Sequence, residues 1–229
     1  MRNNKAKKKL ESISHIDGWL KKEEIEFLFL AAKNNRNQGE IVEIGSWKGK
    51  STVSLALGIK ENGSGKVYAI DHHRGSKEHG TVNTYEEFKK NIFSFGVSDY
   101  VVPLVMSSEE ANKSWQRPIK LLWIDGSHEY EDVKKDFMMW ERHLVVNGLI
   151  AFHDTFFWPG PKKVVDEFIF GGNYKDIGFV GDITFATKAN LLTKSQIIKN
   201  KRQRIIRDII FLKRRFTLRR VIERISRKL

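Results

Sequence analysis

The chain is 229 residues long, contains no cysteine and carries a formal net charge of +13, which excludes disulfides, thiol nucleophiles and thiolate metal sites. The charge is uneven: residues 189–229 hold 14 Lys/Arg and 2 Asp/Glu, a balance of +12, against +1 for residues 1–188. The basic character therefore belongs to a tail and says nothing about the ligand of the rest of the chain.

The first twelve residues read as a basic, frayed arm, and no apolar run of signal-peptide length follows them. Phe27 to Ala32 is too short to cross a bilayer, so the expectation is a cytoplasmic protein, or one peripheral to the inner face of the membrane. Residues 22–34 carry Ile25, Leu28 and Phe29 at helical spacing. An apolar strand over 41–45 then runs into the loop Gly45-Ser46-Trp47-Lys48-Gly49, and a helix is predicted over 50–60. Glycines at both ends of this loop allow close backbone approach to a ligand. Gly45 and Gly49 enclose only three residues, so the Gly-Lys-Ser that follows falls one residue short of a P-loop, and the dinucleotide fingerprint is absent. A plain strand-to-helix turn is the bland alternative. Glu43 stands inside the apolar strand, where a solvated acid is not expected.

After the turn Asn62-Gly63-Ser64-Gly65, a second strand over 66–71 ends in Asp71. A polar loop over 72–81 leads to a helix over 84–95 with Tyr85, Phe88, Ile92 and Phe95 at helical spacing. A third strand over 100–105 precedes Ser107-Ser108-Glu109-Glu110, a helix-start signature. A fourth, 119–124, ends at Asp125, and residues 129–143 read as a helix with Val133, Phe137 and Trp140 on one face. Asn147-Gly148 is predicted to turn into a fifth strand over 149–152, which ends at His153-Asp154. A helix near 162–170 and two short strands near 177–180 and 183–187 close the pattern. Alternation of this kind predicts an α/β fold, a doubly wound and mostly parallel sheet with helices on both faces and ligands at the strands' carboxyl ends. Carboxylates cap three of those ends. Each alone suits a helix cap; together they define a candidate site.

The motifs Val-Glu-Ile-Gly-Ser-x-x-Gly-x-Ser-Thr over 42–52, Ile-Asp-Gly-x-His-x-Tyr over 124–130 and His-Asp-Thr over 153–155 resemble a bacterial group of class I S-adenosylmethionine-dependent methyltransferases. The resemblance covers roughly residues 15–188, from the entry Asp17-Gly18-Trp19-Leu20 onward. It implies a Rossmann-like, seven-stranded sheet whose seventh strand, at 183–187, is antiparallel. It implies that Gly45, Ser46, Trp47 and Gly49, with Ser51 beyond them and Glu43 in support, wrap the methionine part of S-adenosylmethionine. Asp71 would accept from the ribose hydroxyls, which one carboxylate can do for two vicinal donors. His72 would pack near the cofactor, Ser107 and Ser108 would lie near the adenine edge, and Asp125 would border the sulfonium and the acceptor.

Methyl transfer requires alignment of the nucleophile with the methyl carbon, and a hydroxyl acceptor must also lose its proton. A histidine base or a divalent metal can remove it. His128, in the loop after the fourth strand, is the favoured base, with Asp125 beside it; a loop histidine bonded to backbone is the plain alternative. Asp125, Asp154 and Thr155 resemble the oxygen trio of metal-dependent catechol-type O-methyltransferases, a set that would suit Mg²⁺, although Thr155 stands where those enzymes have an amide. A His128–His153 metal site is a third option. Phe156-Phe157-Trp158 reads either as a platform for a sugar or ring acceptor or as a hydrophobic plug.

The organisation expected is a basic arm (1–14), a methyltransferase domain (15–188) and a basic amphipathic helical tail (189–229). In the tail, the stripe Ile198, Ile205, Ile209, Leu212 and Phe216 shifts phase near Thr217 to Leu218, Ile222, Ile225 and Leu229, which predicts two helical segments. A basic amphipathic helix suits an anionic membrane surface, its own domain or a second subunit in a homodimer. With only Phe211 and Phe216 as aromatics, a nucleic-acid role is disfavoured. The function expected is O-methylation of a small-molecule, sugar or glycan hydroxyl at the membrane face. The rivals are a P-loop-like nucleotide hydrolase and a non-catalytic membrane-associated scaffold with the same fold.

Overall fold

The structure, a computed structural model, describes residues 9–76 and 80–226, with side chains to 213. Seven strands form one sheet: β1 (Glu40–Ile44), β2 (Val67–Ile70), β3 (Val101–Leu104), β4 (Ile119–Ile124), β5 (Leu144–Phe152), β6 (Tyr174–Val180) and β7 (Ile183–Lys188). Their spatial order is β3-β2-β1-β4-β5-β7-β6. The first five are mutually parallel, and β7 inserts antiparallel beside β5. The expected fold and its antiparallel seventh strand are both present. Order reverses between β1 and β4, so their carboxyl ends flank the crevice where such sheets bind ligands.

Burial on both faces explains the near-continuous apolar runs of β1 and β4. The helices are α1 (Lys22–Asn34), α2 (Lys50–Asn62), α3 (Tyr85–Ser94), α4 (Ser108–Lys113), α5 (Tyr130–Trp140), α6 (Pro159–Val164, continuing as a π turn through Ile169) and α7 (Lys194–Ser226). One core, with Leu28, Leu55, Ile59 and Trp123, lies between the sheet and α1–α3. The other, with Leu122, Phe137, Trp140 and Phe152, fills the opposite face under α5 and α6.

Three expectations need correction. Asn147-Gly148 does not precede the fifth strand but lies inside it. Ile119 pairs with Leu144 and Leu121 with Leu149, so the extra residues form a bulge, with Asn147 at φ 64°. The tail is one unbroken helix across Thr217 rather than two segments, because nothing in that stretch breaks a helix and Arg and Lys are good helix formers. Its second apolar stripe, from Leu218 on, lies outside the described side chains. At the other end, residues 1–8 of the basic arm are outside the described residues, but Ile13 is fully buried in the α1–α3 core. Packed structure therefore begins before residue 15.

Candidate active site

The loop after β1 is shaped by backbone constraints. Gly45 takes φ 86°, and a Cβ there would come within 2.2 Å of the Asp125 carbonyl oxygen, so only glycine lets β1 and β4 finish side by side. Gly49, at φ 87°, turns the chain into α2. Between them the Ser46 and Trp47 amides donate to Asp71 Oδ2 at 3.1 and 2.8 Å, while the His73 amide donates to Oδ1 at 2.7 Å. Asp71 thus locks the loop to the end of β2. A carboxylate has about four acceptor positions, so the three amides leave one unfilled.

Two adjoining cavities open along the carboxyl ends of β1, β2 and β4. The smaller, of about 350 Å³, is walled by Ile70, Met106, Ser107, Ser108, Asp136 and Met139. The larger, of about 580 Å³, is walled by Trp19, Trp47, Lys50, Asp125, His128 and Trp158 among others. Gly45, Asp71, His72, Gly126, Ser127 and Asp132 line both, so the two form one groove with Asp71 at its waist. Ser51 reaches the larger lobe, and His72, exposed, stands at the rim. Ser107 caps α4 by accepting from the Glu110 amide, and Ser108 Oγ accepts from Trp140 Nε1 at 2.8 Å.

Glu43, Ser46 and Gly49 do not face the groove. Glu43 has no exposed surface and accepts from Thr52 Oγ1 at 2.5 Å behind the loop. Burial pushes its carboxyl up to about 8, against hydrogen bonds from Ser51 and Thr52. It braces the start of α2 from inside the protein and does not line the groove. Ser46 is buried with its amide on Asp71, and Gly49 faces Phe88.

At the far end of the larger lobe, five ionisable side chains converge. His153 Nδ1 lies 3.2 Å from Asp125 Oδ1 and 3.1 Å from Asp154 Oδ2, and His153 Nε2 lies 3.5 Å from Glu24 Oε2. Burial alone would disfavour a charged imidazole; the three carboxylates reverse this and hold His153 far above the usual histidine range. Burial pushes the Asp125 carboxyl up, partly offset by His153. Asp154 is held well below the usual carboxylate range, its burial outweighed by the hydrogen bonds of His128 and His153. His128 Nε2 sits 2.9 Å from Asp154 Oδ2, and the His128 ring stacks on Trp158 at 4.3 Å. Asp154 makes these contacts from a left-handed backbone conformation, φ 59°.

The predicted oxygen trio does not assemble. Thr155 is buried, its hydroxyl bonded to the Asp182 carbonyl at 3.0 Å and to Thr184 Oγ1 at 2.7 Å, away from Asp125 and Asp154. Beyond a left-handed Asp154 the next side chain turns into the sheet. Asp125, His153 and Asp154 instead bring ligand-type atoms within 4.8 Å of one another. Of the aromatic triplet, Phe156 is buried and packed edge-on to Phe179, whereas Phe157 and Trp158 are exposed.

Sequence reasoning missed Lys50, Glu24 and Asp136. Lys50 lines the larger lobe, and its Nζ donates to the Gly18 carbonyl at 2.8 Å. Its place in the first turn of α2, directly after Gly49, is the sequence signal for it. Glu24 precedes Ile25 and lies four residues before Leu28, on the inward face of α1, which spacing alone reveals. Asp136 is buried against the smaller lobe, four residues before Trp140, and burial pushes it up to about 6 despite the Ser108 hydroxyl.

Comparison with known proteins agrees with this architecture. A family model described as a methyltransferase domain matches residues 42–155, the stretch from the glycine loop to the His-Asp-Thr turn. The O-methyltransferase NovP superposes with a TM-score of 0.64 at 16% identity, over 73% of this chain and 80% of its own. The Podospora anserina methyltransferase PaMTH1, solved with S-adenosylhomocysteine, gives 0.60 at 15%, over 80% and 86%. An O-methyltransferase from Bacillus cereus, also with S-adenosylhomocysteine, gives 0.59 at 16%, over 79% and 91%. Residues 42–155 of this chain thus form a methyltransferase domain, on the fold shared by the class I S-adenosylmethionine-dependent methyltransferases.

Proposed function

We propose that the groove carries out O-methylation of a small hydroxyl-bearing molecule, a sugar or glycan being the favoured kind, with His128 as the general base. The observation that carries this reading is the His128–Asp154 pair, 2.9 Å apart, at the end of a cavity that also contains Asp71 and the glycine loop.

The residues lining the groove fit S-adenosylmethionine. The acceptor position left on Asp71 suits a ribose hydroxyl. Ile70, Met106 and Met139 offer apolar walls for a flat base, with Ser107, Ser108 and Asp136 as polar partners at its edge. Lys50 and the loop around Trp47 suit the carboxylate and chain of the methionine part. When bound, the cofactor supplies an electrophilic methyl on a sulfonium. The chain's own contribution is alignment and proton removal. Asp154 orients the His128 ring and stabilises its charged form as it takes the acceptor's proton; Trp158 keeps the ring from swinging away. Asp125, between this pair and Asp71, faces the point where acceptor and methyl donor meet.

A second reading keeps a divalent cation, such as Mg²⁺, on Asp125 and Asp154. The clustering of Asp125, His153 and Asp154 favours it; the loss of Thr155 as a third oxygen weighs against an all-oxygen set. The test is transfer of labelled methyl to a panel of sugar and phenol acceptors, with and without EDTA. Turnover that survives EDTA and falls about 10²-fold in His128→Gln supports the base route. Turnover abolished by EDTA and restored by Mg²⁺ supports the metal. The organisation into a domain over 15–188 and a separate tail belongs to the same proposal, with Ile13 and the residues around it added to the domain.

A further inference from the structure

The tail helix is docked on its own domain by its polar side. Asn200, buried, donates from Nδ2 to the Tyr174 carbonyl at 2.6 Å. Arg207, 1% exposed, pairs with Asp166 and lies over the Phe170 ring at 4.9 Å. Lys162 sits over the Phe211 ring at 5.4 Å. At about 100° per residue, Asn200 and Arg207 fall on one side of α7 and Ile198, Ile205, Ile209 and Leu212 on the opposite side. All four of these are exposed, Ile205 by 60%. A helix packed only for stability would turn its isoleucines inward. This one turns them outward, between flanking rows that include Lys201, Arg202 and Lys213.

The direction of α7 matters as much as its faces. Successive contacts at Asn200, Arg207 and Phe211 meet Tyr174, Asp166 and Lys162, so α7 runs antiparallel to α6 and its π turn. The start of α6 adjoins Trp158, which lines the larger lobe. The turns of α7 beyond Leu212, which continue to Ser226, therefore head toward the side where the groove opens. Two exposed aromatics, Trp19 (63%) and Trp158 (41%), stand at that opening.

We propose that the outward face of α7 seats on an anionic lipid bilayer, with the groove's mouth turned to the same surface, so that the acceptor is the hydroxyl-bearing head group of a membrane-borne amphiphile. Charge selects this occupant: a segment of net +12 repels a second copy of itself and is drawn to anionic head groups, while the isoleucine row suits the acyl boundary. No helix among the described residues is long and apolar enough to span a membrane, so the contact is interfacial. The choice of acceptor rests on the methyl-transfer reading of the groove; the docking itself does not.

The test sediments the full-length protein with vesicles of phosphatidylcholine, alone or mixed with phosphatidylglycerol. We expect at least about tenfold stronger partition onto the anionic vesicles, weakening with salt. We expect a further loss of about tenfold in the double variant Ile205→Gln/Ile209→Gln, with S-adenosylhomocysteine affinity by calorimetry unchanged as the check on folding. The six tryptophans all precede residue 159, and only Trp19 and Trp158 are exposed, so quenching of their emission by brominated lipid reports the mouth. Equal vesicle partition by the double variant would overturn the docking face. So would a dimer broken by the two substitutions without vesicle binding, or duplex DNA binding in place of vesicle binding. Vesicle binding without tryptophan quenching would overturn the orientation and with it the membrane-borne acceptor. Loss of S-adenosylhomocysteine binding in the unmodified protein would instead count against the methyltransferase reading alone.

Discussion

Glu43→Gln tests whether the acid behind the glycine loop is held as a neutral group. In the folded protein burial raises its carboxyl from an ordinary 4.5 to about 8. Between these two values the unfolded chain has released the proton while the folded chain keeps it, so stability falls as pH rises. Each pH unit in that window costs about 1.36 kcal/mol, and the whole window about 5 kcal/mol. The amide keeps the shape and the Thr52 hydrogen bond but cannot ionise. We therefore expect ligand-free Glu43→Gln to match the parent near pH 5 and to exceed it by about 3 kcal/mol at pH 7, in urea unfolding followed by circular dichroism across pH 5–8. Parallel pH profiles for the two proteins would refute the burial argument. So would a Glu43 carboxyl carbon that titrates near 4.5 by NMR.

Gly45→Ala should cost about 3 kcal/mol or more, because the new methyl meets the Asp125 carbonyl at a positive φ; denaturant unfolding reads it, and a loss under about 0.5 kcal/mol would contradict the geometry. Asp154→Asn should lower kcat about 10²-fold while changing S-adenosylhomocysteine affinity little, since it weakens the orientation of His128; a matching loss of affinity would place Asp154 in cofactor binding instead. Thr155→Val removes hydroxyl contacts inside the sheet and should cost about 1–2 kcal/mol by denaturant unfolding while leaving turnover and its response to EDTA unchanged. A changed response to added Mg²⁺ would return Thr155 to the site.

Much of the fold can be read from periodicity. The fourth strand, 119–124, matches its predicted bounds because a fully buried parallel strand is apolar throughout, apart from Lys120, which reaches the Ser64 carbonyl. Asn147-Gly148 misleads because the same residues serve a turn and a bulge equally well. Of the site residues, Asp71 and Asp125 are legible as acids at the tips of apolar strands, and the structure brings both to the larger lobe of the groove. Thr155 and Ser46 are not, because side-chain direction two or three residues past a strand depends on backbone angles that composition does not encode. Trp47, Asp154 and Asn147 all adopt positive φ, the local reversals that spacing cannot reveal. In the tail, the apolar stripe is visible in the sequence, but its outward orientation is set by Asn200 and Arg207, whose partners Tyr174 and Asp166 are distant in the chain.

Calorimetric titration of the ligand-free protein with S-adenosylhomocysteine, beside Asp71→Ala, bears most directly on the groove as a sulfonium–nucleoside site. Micromolar binding by the parent and a loss of tenfold or more in the variant are expected, because Asp71 both fixes the loop and offers the remaining acceptor position. No heat with S-adenosylhomocysteine, together with tight binding of ATP–Mg²⁺, would contradict the account and favour a nucleotide hydrolase.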